Sequence, residues 1–159
     1  MVKVVLHCSA SNFGNAALIE QWHLARGWKG IGYHYVILNG WIASGCYHAR
    51  FDGHIETGRP MDDDPFITAQ EQGAHVKGHN QQSAGICLIG QSGQFTDRQL
   101  NAALGCVLML ERQFNNIEIL QHSDLDSGKP HCAGLDMLLF NKNYQLYKEI
   151  VNDNESLPA

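Results

Sequence analysis

Ser83-Ala84-Gly85-Ile86-Cys87-Leu88-Ile89-Gly90 is a near-continuous apolar run. It lacks the polar–apolar alternation of a strand with one wet face, so it reads as a strand covered on both sides. Working outward, Val2 to Leu6 reads as a second buried strand, and Tyr33 to Leu38 as a third, rich in β-branched and aromatic residues. Asn39-Gly40 carries a hairpin-turn signal, and Phe51-Asp52-Gly53 reads as another turn. Trp41 to Ala43, Ile55 to Thr57 and Ile117 to Leu120 supply further short strands. Three stretches have helical character. Ala16 to Arg26 is closed by Gly27. A second opens at Thr96, with Gln99 in capping-box position and Leu100, Ala103, Leu104, Val107 and Leu108 as its stripe. The third is Leu135 to Ile150. The order of elements gives an α/β fold, a central mixed sheet flanked by about three helices. Residues 1–151 read as one domain, and 152–159 as a polar tail that frays.

Composition narrows the function. At 159 residues with 44% hydrophobic and 17% charged, the chain fits one compact, well-cored domain. A net charge of -5 gives no basic footprint for nucleic acid. No apolar run is long enough to span a bilayer, and Met1 to Leu6 does not read as an export signal. The reading is a protein made in the cytoplasm, with no membrane partner. Five cysteines, an odd number, do not suggest a disulfide framework. Nine histidines direct attention to metal chemistry.

His7 directly follows the first strand and His122 the last, so a rigid sheet can aim both at one point. Cys132 follows in the loop after His122. Two imidazoles and a thiolate make a three-ligand zinc site, of the type that leaves a fourth position for water. Taken singly, each of these residues is more often an ordinary one, and the flanking motifs decide the matter.

Those motifs are His7-Cys8-Ser9-Ala10, Gln21-Trp22-His23 with Gly27-Trp28, and Gly32-Tyr33-His34-Tyr35-Val36-Ile37. Then come Gly58-Arg59-Pro60, Gly73-Ala74-His75-Val76-Lys77-Gly78-His79-Asn80, Ser83 to Gly90, and His122-Ser123-Asp124 with Lys129 and Cys132. In this order the chain resembles the type 2 N-acetylmuramoyl-L-alanine amidases, the family of peptidoglycan recognition proteins and small phage lysozymes. The resemblance implies one zinc ion per chain on His7, His122 and Cys132, and a substrate of peptidoglycan or muropeptide. It implies cleavage of the amide between N-acetylmuramic acid and L-alanine. It places Tyr33 beside the metal, Lys129 near the reacting carbonyl and His75 along the substrate groove. A phage or prophage endolysin is the setting it suggests. The rivals are a non-catalytic peptidoglycan-binding module and a cytoplasmic muropeptide-recycling amidase.

The chain departs from the family pattern in places. Lys129-Pro130-His131-Cys132 is one residue longer than usual, so Lys129 or His131 is left to assist the oxyanion. Ala133 stands where proline is common. Segments 39–50 and 62–72 are longer than in small relatives. Cys46 and His48, within the first, offer a second metal pair. His23 and His34 read as packed against the sheet and Asp136 as a helix cap; Asp124 and Asp126 either orient His122 or are solvated, the second reading being preferred for Asp126. Cys8 beside His7 is poor geometry for a cysteine hydrolase, because neighbours on a strand face opposite ways.

Overall fold

The computed structural model describes residues 1–156. Five strands form one sheet: β1 (Val2–Cys8), β2 (Tyr35–Ala43), β3 (Cys46–Thr57), β4 (Ser83–Leu88) and β5 (Ile117–Gln121). Their spatial order is β3-β2-β4-β1-β5. β4 is parallel to both β1 and β2, and β5 is parallel to β1. Only the β2–β3 hairpin is antiparallel. The helices are α1 (Ala16–Ala25), α2 (Asp97–Phe114), the single turn α3 (His122–Leu125) and α4 (Met137–Glu155). The mixed sheet flanked by three long helices is therefore as read, with α3 added.

All six residues of β4 are buried, because the sheet is sandwiched between two cores. On one face Val4, Leu6, Ile86 and Leu88 meet α2 and α4 through Leu104, Val107, Phe140 and Tyr144. On the other, Val36, Leu38, Cys87 and Ile89 meet Ile19 of α1 and Ile31. The parallel strands β1, β4 and β5 all end at the same edge. His7 lies there as the last but one residue of β1, inside the strand rather than after it, and His122 directly follows β5 as the first residue of α3.

The caps follow the sequence closely. Thr96 Oγ1 accepts from the Gln99 backbone at 3.1 Å, and the Gln99 side chain accepts from Thr96 N–H at 3.1 Å. Gln99 is fully buried, and its amide also donates to the carbonyls of Ile37 and Ile89 at 3.0 and 2.8 Å. That one side chain pins α2 to β2 and to the residue that follows β4. Asn15 caps α1, and Asp136 caps α4 by accepting from Leu139 N–H at 3.0 Å. α4 runs to Glu155, four residues into the stretch read as tail, and Arg112 bonds both Asn152 and Glu155. Residues 157–159 of that tail lie outside the described residues.

Two expected turns are not turns. β2 continues through Asn39-Gly40 to Ala43, and the hairpin closes at Ser44-Gly45. Gly40 has φ 86° inside the strand, where a Cβ would collide with the Tyr47 ring. Gly53, at φ 81°, likewise sits inside β3, against the Arg98 carbonyl. Both glycines mark irregular pairing, since the β2–β3 register shifts between Ile37 and Asn39 and again beyond it. Among the described residues no helix is long and apolar enough to cross a membrane.

Candidate metal centre

His7 and His122 reach the same point from neighbouring strands. β1 pairs with β5 up to Leu6↔Gln121, so the next residue of each strand is one of the two histidines. Their Nδ1 atoms are 3.1 Å apart. Cys132 comes back to this edge from the following loop, and its Sγ lies 4.0 Å from His7 Nδ1. The ligand atoms of His7, His122 and Cys132 all fall within 4.8 Å of one another. A tetrahedral zinc site sets nitrogen pairs about 3.3 Å apart and nitrogen–sulfur pairs about 3.6 Å apart. The donor set and its spacing therefore fit zinc. Among the described residues this is the cluster with metal-holding geometry, and Cys46 and His48 do not form one.

The far nitrogens are as ordered as the near ones. His7 Nε2 lies 3.1 Å from His75 Nδ1, and His75 Nε2 lies 3.3 Å from the Ser83 carbonyl. A carbonyl only accepts, so His75 carries its proton on Nε2 and offers a lone pair from Nδ1. That lone pair takes the His7 Nε2–H, which leaves His7 Nδ1 unprotonated and facing His122 and Cys132. His122 Nε2 lies 3.6 Å from Asp126 Oδ2, one helical turn on. Both imidazoles thus present Nδ1 to the centre; His75 fixes the tautomer of His7 by a hydrogen bond, and Asp126, beyond hydrogen-bond reach, draws the Nε2 side of His122 by charge alone.

His75 is 7% exposed, inside the protein rather than along a groove. Its surroundings explain the motif that carries it. Asn80 Oδ1 accepts from the backbone N–H of both His75 and Val76 at 2.8 Å and closes the loop. Gly85 of β4 lies under the ring, where a Cβ would come within 2.7 Å of it. His34 sits alongside, with ring centroids 5.8 Å apart. It accepts from Gly85 N–H at 2.9 Å and donates to the Glu71 carbonyl at 2.9 Å. His23 accepts from Gly32 N–H at 3.0 Å and stacks near Trp28. Both are structural, as the sequence suggested.

The electrostatics favour neutral imidazoles, the form that binds metal. Burial, with His75 and His122 close by, pushes His7 well below its ordinary value. Burial lowers His122 too, against the opposing pull of Asp126. Burial takes His34 to about 4 and His75 to about 3. In the unfolded chain both titrate near 6.5. Between those values and 6.5 the unfolded state binds more protons, so stability falls as pH drops through this window. Urea midpoints of the metal-free protein are expected to fall steadily from pH 7 to pH 4, with His34→Gln showing a shallower slope. A flat profile between pH 7 and 4.5 contradicts this.

The thiols behave as a pair. Cys132 Sγ accepts the Cys8 backbone N–H at 3.4 Å. The hydrogen bond to Cys132 takes the Cys8 thiol down to about 6. The same bond, with burial, raises the Cys132 thiol. The pair thus sheds one proton readily and keeps the other. A cation at the three-ligand centre reverses that preference, because a coordinating thiol is deprotonated outright. Strand alternation did not foresee that Cys8 meets Cys132.

Tyr33 precedes β2, and its ring centroid lies 5.1 Å from that of His7. Burial, reinforced by the neighbouring thiols of Cys87, Cys132 and Cys8, raises its hydroxyl well above the usual range. It stays a neutral phenol and a donor. Lys129 is exposed in the loop before Cys132, with its charge close enough to lower both His122 and Cys8. His131 is exposed as well. Of the two readings the sequence left for Asp126, orienting His122 or solvated, the structure favours the first, since its carboxylate lies beside His122 one helical turn on.

Residues 2–134 match the family model described as N-acetylmuramoyl-L-alanine amidase. The chain is 30% identical over 145 residues to the endolysin of Klebsiella phage KP32, covering 85% of this chain and 82% of that one. It is 30% identical over 151 residues to the endolysin of Enterobacteria phage K11, covering 89% and 85%. Among solved structures, the endolysin N-acetylmuramoyl-L-alanine amidase LysCS from Clostridium intestinale superposes with a TM-score of 0.71 at 23% identity, covering 90% and 82%. Wild-type Drosophila PGRP-LB gives 0.61 at 24% identity, covering 83% and 74%. These two structures share the fold.

Proposed function

The chain belongs to the N-acetylmuramoyl-L-alanine amidase family, and from that premise we propose that it cleaves the amide between N-acetylmuramic acid and L-alanine, with zinc held by His7, His122 and Cys132. The convergence of those three ligand atoms within 4.8 Å carries the reading. When bound, zinc supplies Lewis acidity that activates water and polarises a carbonyl at neutral pH. The chain's own groups supply the rest. His75 holds His7 in the Nδ1-presenting tautomer, and the Asp126 carboxylate lies beside Nε2 of His122. Tyr33, kept protonated by burial, donates to the oxygen that becomes negative during amide attack. Lys129 brings a positive charge to the same side from an exposed stem. Cys132 is the residue a purely binding relative would not need, and its place in the cluster favours hydrolysis over capture. The endolysin relatives favour a lytic setting, in which the protein reaches the wall from inside after release.

Chelation is expected to abolish release of stem peptides from purified walls, and added zinc to restore it. Equal cleavage by fully chelated protein contradicts the metal assignment. The role of His75 has its own test. His75→Leu is expected to weaken zinc binding by about 10- to 100-fold, and His75→Gln, which keeps an acceptor, to recover part of the loss. Nitrogen-15 spectra of the histidine rings should show His7 protonated at Nε2 in the wild type and mixed in His75→Leu. An unchanged His7 tautomer would show that His75 only fills space.

A further inference from the structure

The extended β2–β3 hairpin projects from the same edge of the sheet as the metal centre. We propose that its turn end forms a binding site for the neutral N-acetylated sugars of a glycan strand, next to the residue being cleaved. The proposal rests on the amidase reading of the centre.

A hollow of about 540 Å³ lies between the hairpin and the loop that follows His7. Ser11, Asn12, Phe13, Trp41, Ser44 and Gln91 line most of it, and no charged residue contributes to the lining. The hollow at α1, by contrast, is lined by Glu20, His54 and Glu56. A stem peptide carries carboxylates and an amine, and a lining of amides, hydroxyls and aromatic rings offers them no counter-charge. A sugar ring fits this chemistry better. Its C–H face packs on an aromatic plane, and its hydroxyl and acetamido groups bond side-chain amides.

The aromatic platform is exposed yet held in place. Trp41 and Tyr47 are 43% and 47% exposed, with ring centroids 5.1 Å apart. Tyr47 lies against Gly40, where no side chain stands in its way. Trp41 N–H donates to Asn39 Oδ1 at 3.0 Å, and its carbonyl accepts from Gly14 N–H at 2.9 Å. Asn39 in turn donates to the Asn12 carbonyl at 3.0 Å, and Gln91 donates to Asn12 Oδ1 at 3.1 Å. Hairpin, post-His7 loop and the end of β4 are therefore tied into one surface. Ser11 is four residues from His7, so their Cα atoms lie at most about 14 Å apart. A strand whose muramoyl residue sits at the centre has its next rings within reach of Trp41.

The test has two arms. Nitrogen-15-labelled protein is titrated with chitotetraose, a neutral N-acetylglucosamine oligomer. The expected shifts fall on the Trp41 indole and the Asn12 and Gln91 side-chain amides, disappear in Trp41→Ala and return in part in Trp41→Tyr. In the second arm, Trp41→Ala is expected to raise KM at least fivefold on polymeric peptidoglycan and to leave a muramoyl-peptide monomer unaffected. No shift in these groups at millimolar sugar, or an equal loss on both substrates, overturns the proposal. The titration needs no turnover. A wild-type protein that binds the oligomer but cleaves neither substrate supports the sugar site and refutes the amidase reading.

Discussion

Cys132→Ser is expected to remove zinc and activity together. The serine hydroxyl is a hard, neutral oxygen where the centre offers a soft thiolate, and zinc retains only two imidazoles. Affinity is expected to fall by about 100-fold or more, and amide hydrolysis to background. The fold has little reason to change. Cys132 sits in a loop, and the backbone groups its Sγ meets, the N–H of Cys8 at 3.4 Å and the Cys8 carbonyl at 4.0 Å, can still bond a hydroxyl. Circular dichroism and the thermal midpoint of metal-free protein should therefore match those of metal-free wild type. The wild type should carry about one zinc per chain and the variant close to none. A variant that keeps its zinc and its rate removes Cys132 from the ligand set.

Tyr33→Phe is expected to leave zinc in place and to cut turnover by about 100-fold, the usual loss for one donor to a developing oxyanion. The phenol ring lies beside His7, at 5.1 Å between centroids, so phenylalanine preserves the packing. What disappears is the hydroxyl, which burial and three nearby thiols keep protonated at working pH. The effect should fall on kcat with KM little changed, as for an interaction made only in the transition state. Lys129→Ala should act in the same direction but more weakly, about tenfold, because its exposed ammonium is screened by water. Loss of zinc in Tyr33→Phe would reassign the tyrosine to supporting the metal.

The legible parts of the fold were those governed by local pattern. The apolar run from Ser83, the Thr96–Gln99 capping box and the Asp136 cap each depend on residues close in sequence, and each stands as read. The glycines of the hairpin misled because Asn-Gly and Asp-Gly mark φ > 0, not necessarily chain reversal. At Gly40 and Gly53 that freedom serves contacts with Tyr47 and Arg98, which sequence alone does not reveal. The three candidate ligands were legible because two of them end strands. The support of His7 was not. The place of His75 depends on Gly85 from a different strand and on Asn80 closing its loop, so a motif that suggested a groove residue describes an interior one.

Which bond breaks is read from the chemistry of the products. Purified peptidoglycan is digested with the zinc-loaded protein, and the soluble fragments are analysed by mass and by end groups. Amide cleavage yields free stem peptides beginning with a new L-alanine amino terminus, intact glycan strands with unsubstituted lactyl carboxylates, and no new reducing sugar. New reducing ends, cleavage within the stem, or bound but uncut walls would contradict it.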